Sequence, residues 1–97
     1  MFLYNISIII EETVHQPLLD WIKELLINID QPELKLLKML HSPHEGHTYC
    51  LQITVSNEDE INIIQSEILN AIQQEISLKY HEKAFLFDSI MQYLPQK

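Results

Sequence analysis

The sequence predicts a small α+β domain whose elements follow the order βαββαβ, the order of a ferredoxin-like plait. The first observation is the alternation of apolar and polar side chains near residues 2–10 and 48–55, which is typical of strands. The second is the recurrence of apolar residues at helical spacing in the segments that follow them. The third is the length of 97 residues, which leaves too little apolar surface for a second core. We therefore expect residues 1–97 to form a single domain.

The first strand and the first helix are separated by a short acidic break. Residues 2–10 are rich in β-branched side chains, and the polar residues Asn5 and Ser7 alternate with apolar neighbours. Pro17 suits the first turn of a helix, because the N–H that proline lacks has no partner there. We expect this helix to end before Pro32, since the residue that precedes a proline avoids the α conformation.

A β-hairpin is predicted to follow the first helix. Periodicity alone does not distinguish a strand from a helix over residues 34–40. However, this segment leads through a turn-forming cluster at residues 42–46 into a clearly alternating strand at residues 48–55. Lys35 and Lys38 would protect an edge strand from pairing with other chains. The segment is therefore predicted as an edge strand.

The second helix begins with the strongest local signal in the sequence. Asn57 can cap the helix while Glu60 reaches back to the backbone of Asn57, which forms a capping box. Isoleucines at helical spacing then mark one face of a helix that we extend to about Leu78. Residues 84–94 are rich in aromatic and aliphatic side chains and are predicted as the final strand.

Two βαβ halves with right-handed crossovers give a four-stranded antiparallel sheet with both helices on one face. The side chains expected to face the helices are Tyr4, Ile6, Ile8, Tyr49, Leu51, Ile53 and Val55. The opposite, open face combines polar residues of the central strands with part of the apolar set of the final strand. We place Leu86 on this face and expect a homodimer through the face or through the edge of the final strand. Leu86→Lys should then dissociate the dimer.

Composition excludes several classes of function. The formal net charge is −8 and all six basic residues are lysines, so the electrostatic field should repel nucleic acid and anionic membranes. Gly46 is the only glycine, which excludes glycine-rich phosphate-binding loops. No stretch approaches the roughly 18 apolar residues of a membrane span. The lone Cys50 forms no internal disulfide, and we expect a cytoplasmic protein.

The segment around the predicted hairpin turn contains potential metal ligands. His41, His44 and His47 lie close to Glu45 and Cys50, and all five side chains can bind zinc. A metal site also requires convergent ligands with fixed second-shell partners, whereas this turn should be mobile. We therefore predict a solvated turn without a metal ion, and we expect no cofactor. Residues three apart in a strand point to opposite faces, so His47 and Cys50 should not form a catalytic pair.

The hydrophobic anchors of the chain resemble a family of small bacterial proteins known only as a domain of unknown function. The resemblance rests on the segments LYNI at 3–6, LDWIK at 19–23, LLKML at 36–40, TY at 48–49 and KAFLFDS at 83–89. It spans nearly the whole chain and contains no catalytic signature. It implies the ferredoxin-like plait and a dimer, and it implies no chemistry.

Two hypotheses for the function follow. The first is a non-enzymatic dimeric module that binds a protein partner or a small apolar ligand, because catalytic signatures are absent and the open sheet face is half polar. The second is a cofactor-independent enzyme similar to the α/β-barrel monooxygenases, which would use a pocket near Asn5 and Trp21. For Trp21, packing of the first helix against the sheet is the simpler interpretation.

Overall fold

Four strands form one antiparallel sheet in the computed structural model, which describes residues 1–96. The strands are β1 (Phe2–Ile10), β2 (Lys35–Lys38), β3 (His47–Val55) and β4 (Ala84–Gln92). Their order across the sheet is β2-β3-β1-β4, with β1 paired to both β3 and β4. This is the predicted ferredoxin-like plait, in which the two halves of the chain interleave their strands.

The helices connect the strands as expected, although the second helix is interrupted. A 3₁₀ turn (Glu12–Val14) leads into α1 (His15–Ile27). The second helix, residues 59–79, consists of α2 (Asp59–Ile64), a π-helical turn (Gln65–Leu69) and α3 (Asn70–Lys79). Asn57 and Glu60 exchange the predicted capping bonds. Glu60 N donates to Asn57 Oδ1 over 3.2 Å, and Asn57 N donates to Glu60 Oε2 over 3.4 Å.

The spacing of the buried isoleucines explains the π-helical turn. Ile64, Ile68, Ile72 and Ile76 are spaced by four residues, which on a regular α-helix rotates each side chain by about 40° from the one before. A π-helical turn takes in an extra residue and so counteracts this drift. All four side chains are at most 8% exposed, so the isoleucine stripe stays on the sheet along the whole helix.

One face of the sheet, here called the covered face, forms the hydrophobic core with the helices. The seven side chains predicted to lie there are all at most 7% exposed. Leu18 and Ile22 of α1 are completely buried against them. Leu86 belongs to this face as well, since it pairs with Ile8 and packs against the core. The prediction that placed Leu86 on the open face was therefore wrong.

Hydrogen bonds to one carboxylate also connect the second helix to the covered face. The hydroxyl of buried Tyr4 donates to Asp88 Oδ2 on β4 over 2.6 Å. Gln65, the first residue of the π-helical turn, donates to the same oxygen over 3.3 Å. Burial and the adjacent Asp88 carboxylate raise the pKa of Tyr4 above its usual range. The contact thus joins β1, β4 and the helix through one carboxylate.

Gly46 shapes the end of the hairpin turn. Its φ is +85°, a conformation that favours glycine, and a Cβ at this position would lie 2.4 Å from the carbonyl oxygen of Ile10. Only glycine lets the turn approach the end of β1 so closely. This approach places His47 directly opposite Ile10 and next to the start of α1.

Candidate functional site

The open face of the sheet is a broad surface that the helices leave uncovered. Cross-strand pairs place Leu3 beside Met91, Ser7 beside Phe87 and Ile9 beside Phe85 on this face. The exposed side chains of the open face include large apolar groups from both edge strands of the sheet, β4 and β2. These are Phe85 (61% exposed), Phe87 (54%), Met91 (45%) and Leu37 (45%). An apolar margin therefore runs along β4 and reappears on β2.

The centre of the open face is polar and internally bonded. Asn5 Nδ2 donates to Ser7 Oγ over 2.9 Å, and Gln52 Nε2 donates to Asn5 Oδ1 over 3.0 Å. Ser7 Oγ also lies 3.9 Å from the sulfur of Cys50. Asn5 and Ser7 are buried by their neighbours, although no helix covers them. The expected half-polar face is thus a bonded polar strip between apolar margins.

The strands present few charges on this face. Among the described residues, the strand positions on the open face include one charged side chain, Lys35, and no carboxylate. Asp88 is the one acidic residue within β4, and its register places it on the covered face. A protein with a net charge of −8 therefore presents one surface free of strand carboxylates.

The two residues predicted to bind a ligand do not meet in one pocket. Asn5 lies at the centre of the open face, where Ser7 and Gln52 engage both ends of its amide. Trp21 lies on α1, which covers the opposite face, and its side chain packs against the core. The groove beside Trp21 is lined by Glu24 and Leu25 of α1 and by Asn28, which follows α1, rather than by Asn5.

A second candidate site lies where β1 passes into α1. The imidazole rings of His15 and His47 stack with centroids 3.5 Å apart and planes inclined by 8°. His15 Nε2 forms a 2.6 Å hydrogen bond with the hydroxyl of Tyr49, and His47 Nε2 bonds to a carboxylate oxygen of Glu12. Three elements contribute: the 3₁₀ turn, the first residue of α1 and β3. We call these four residues the histidine cluster.

The residues of the histidine cluster differ in exposure to solvent. The side chain of Glu12 is 77% exposed and that of His47 24%, whereas Tyr49 is buried. Burial, more than any single charge, lowers the pKa of His15, with the neighbouring His47 acting in the same direction. Burial also raises the pKa of Tyr49. Burial therefore favours the neutral form of both rings at the inner end of the cluster.

The three histidines of the hairpin segment are separated in the structure. His47 belongs to the histidine cluster, whereas His41 and His44 are exposed. Cys50 faces the open side of the sheet, opposite to His47, as the strand geometry predicted. The expectation that the turn residues His41, His44 and His47 bind no metal together stays a prediction.

Sequence reasoning missed His15, Glu12 and Tyr49 as partners of His47. No sequence motif singles out His15 or Glu12, and Tyr49 was predicted only as a residue of the core. A signal was nevertheless present. Antiparallel pairing of β1 with β3 sets the end of β1 beside the start of β3, so residues 11–15 must lie close to His47.

The strand order and the one-sided helices define the class of protein, a ferredoxin-like α+β domain with an open sheet face. The chain belongs to the family described as Domain of unknown function (DUF4286), whose model matches residues 1–94. No curated protein matches the sequence. In the described part of the chain, none of the helices combines the length and apolar character needed to cross a lipid bilayer.

Solved structures agree with the fold at low sequence identity. A ferredoxin-like dabb family protein from Mesorhizobium loti is 8% identical, with a TM-score of 0.54 and complete coverage of both chains. The de novo designed protein Foldit4 is 13% identical, with a TM-score of 0.61 over 96% of this chain and 98% of its own. A PII-like signaling protein from Thermus thermophilus is 17% identical, but its TM-score of 0.39, over 94% of this chain and 89% of its own, is too low to support an argument. These likenesses concern the fold alone.

Proposed function

We propose that this protein is an interaction module that acts as a homodimer, with the open sheet faces of two copies packed together. The observation that carries the proposal is the aromatic and aliphatic margin on a face without strand carboxylates. Large exposed apolar side chains that gather on one face are typical of interaction surfaces.

A second copy fits this face better than a partner of opposite charge. A basic partner would be drawn to carboxylates, and the strands present none on this face. Two copies with a net charge of −8 repel each other least where the facing strands present no acidic side chain. The bonded polar strip of Asn5, Ser7 and Gln52 would then lie at the centre of the interface and favour one register.

The size of the face sets the expected affinity. At about 3.3 Å per residue along a strand and about 4.8 Å between strands, the sheet face covers about 500 Å². Two faces would bury roughly 1,000 Å² in total, at the low end of specific interfaces, so we expect dissociation constants on the order of micromolar. Association should strengthen as salt rises, because salt screens the like charges of the two copies.

Sedimentation equilibrium tests the proposal with two matched variants. Phe87→Lys places a charge on the open face, while Ile63→Lys makes a comparable change at a residue of α2 with nearly the same exposure, 54% against 52%. Both changes reduce the net negative charge of the chain by one, so a difference between them cannot come from net charge and must come from where the lysine lies. We expect wild type and Ile63→Lys to approach twice 11.5 kDa, and Phe87→Lys to remain a folded monomer.

Two results would contradict the proposal. One is a wild-type monomer throughout the range from about 1 µM to about 100 µM, which brackets the expected dissociation constant. The other is equal dimerisation of Phe87→Lys and wild type. The pocket-based enzyme hypothesis receives no support, because the structure separates Asn5 from Trp21.

A further inference from the structure

The histidine cluster contains a set of groups that its role in packing does not require. Glu12, His15 and His47 each offer a ligand atom, and these atoms lie within 4.8 Å of one another. Ligands around a tetrahedral zinc ion lie about 3.3 Å apart, given bonds of about 2.0–2.1 Å. The most widely separated of these atoms therefore need to approach by up to about 1.5 Å to share an ion, while His47 Nε2 and the Glu12 carboxylate, which are already hydrogen-bonded, must move slightly apart.

We propose that Glu12, His15 and His47 form a binding site for a divalent transition-metal ion of the zinc type, with an open fourth position. Two imidazoles and one carboxylate are a recurrent ligand set for zinc sites that keep such a position. The proposal concerns this cluster and is independent of dimerisation, since its residues lie on the covered side of the sheet and at its end.

Tyr49 supplies the feature that distinguishes a metal site from a chance meeting of ligands. Metal-binding histidines usually engage their second ring nitrogen in a hydrogen bond, which fixes the ring orientation. The phenol of Tyr49 bonds Nε2 of His15 over 2.6 Å, so Nδ1 is the ring nitrogen that remains to bind an ion in the proposed site. Because Tyr49 is itself buried, the ring of His15 is anchored before any ion arrives.

The other two ligands are already directed at each other. His47 Nε2 and a carboxylate oxygen of Glu12 are hydrogen-bonded, and the ion would replace the proton that joins them. The rings of His15 and His47 are parallel, whereas nitrogen lone pairs lie in the ring planes, so His47 must turn away from the stack. Its partial exposure and the 77% exposure of Glu12 leave room for that turn.

This rearrangement limits the expected affinity. Binding gives up the stacking of two rings and orders an exposed glutamate, and both costs weaken a site relative to a fully preorganised one. We expect one zinc ion per chain with a dissociation constant on the order of micromolar, far weaker than structural zinc sites. The ion would sit beside the exit of β1, at the edge of the protein.

Isothermal titration with zinc chloride tests the site on protein freed of any histidine tag. Cobalt(II) chloride provides a second readout, because its visible absorption reports coordination by nitrogen and oxygen. We expect His15→Ala, His47→Ala and Glu12→Gln each to weaken binding at least about tenfold. Tyr49→Phe should weaken it about tenfold through loss of the second-shell bond.

The exposed histidines of the hairpin turn provide matched controls. His41→Ala and His44→Ala remove the same chemistry within a few residues of His47 and should leave zinc affinity unchanged. Glu12→Gln changes a largely exposed side chain, so its effect does not depend on whether a buried variant folds. Binding weaker than about 100 µM in wild type, or equal losses in His44→Ala and Glu12→Gln, would overturn the proposal.

Discussion

The two faces of the sheet are built from the same strands and have opposite roles. On the covered face, Tyr4, Ile6 and Ile8 are at most 1% exposed and pack beneath the helices. On β4, Phe85 and Phe87 flank Leu86 of the covered face. Their own side chains lie on the open face and are more than half exposed. Both faces contain large apolar groups, so hydrophobicity alone does not distinguish core from surface. Register does, because a shift of one residue exchanges the faces.

This comparison predicts two separable classes of variant. Changes on the covered face should alter the free energy of unfolding and leave the association of folded chains intact. Changes on the open face should alter association and leave the unfolding of the monomer nearly unchanged. Each prediction below pairs a residue of the covered face, or of the helix above it, with a control outside the core.

The largest effect is expected for adjacent isoleucines of β1. Ile8 is completely buried, so Ile8→Ala should lower the free energy of unfolding by about 2–5 kcal/mol through lost burial and a cavity. Ile9 lies on the open face beside Phe85, and Ile9→Ala should cost at most about 1 kcal/mol in the monomer because the site is partly solvated. Urea denaturation at a low protein concentration measures both values.

The same pair gives an independent readout of association. Ile9→Ala should weaken the dimer, whereas Ile8→Ala should not change the dissociation constant of the fraction that remains folded. Comparable losses of unfolding free energy in the two variants would show that the faces are assigned wrongly.

Much of the plait could be predicted from the sequence because alternation and capping are local properties. β1 and β3 each concentrate their polar residues on one side, which specifies their register, and the seven expected core residues are all buried. The capping box of Asn57 and Glu60 could be predicted because it spans only four residues. Such signals do not depend on the rest of the fold.

Local sequence signals do not predict which face of the sheet the side chains of β4 occupy. Residues 84–87 are apolar in both phases of the alternation, so Leu86 and Phe87 were equally good candidates for either face. The pairing of Ile8 with Leu86 settles the choice, and that pairing is a property of the whole sheet. The histidine cluster was missed for the same reason, since His15 and His47 are distant in sequence and meet only through the pairing of β1 with β3.

An intermediate effect is expected for the hydroxyl of Tyr4 on the covered face. Tyr4→Phe removes the bond to Asp88 and should cost about 1–2 kcal/mol, the lower range for hydrogen bonds to charged groups because Asp88 is exposed. Tyr93→Phe is the control. Its hydroxyl is on the open side, 3.4 Å from Thr54 Oγ1, and its loss should be nearly neutral. Chemical denaturation at pH 7 measures the difference.

The raised pKa of Tyr4 also predicts a pH dependence. The folded state keeps the phenol protonated where the unfolded chain, with an ordinary tyrosine pKa near about 10, releases the proton. The contribution to stability is therefore complete below about pH 10 and is lost as the pH rises further. Tyr4→Phe should show a shallower decline of unfolding free energy in this alkaline range than Tyr93→Phe. Equal slopes would contradict the assignment.

The smallest effect is expected at the cap of the helix that covers the core. Asn57 Oδ1 accepts the backbone N–H of Glu60, so Asn57→Ala leaves that donor to water and should cost about 1 kcal/mol. Asn62, exposed within α2, is the matched control, because Asn62→Ala exchanges the same residue types and should stabilise the helix by a few tenths of a kcal/mol through higher helix propensity. Thermal unfolding followed by circular dichroism resolves the two directions.

Neither change at the helix cap touches the open face, so sedimentation should give the wild-type dissociation constant for both variants. A weakened dimer in Asn57→Ala would show that the helix layer and the open face are coupled, and the separation of the two faces would then fail.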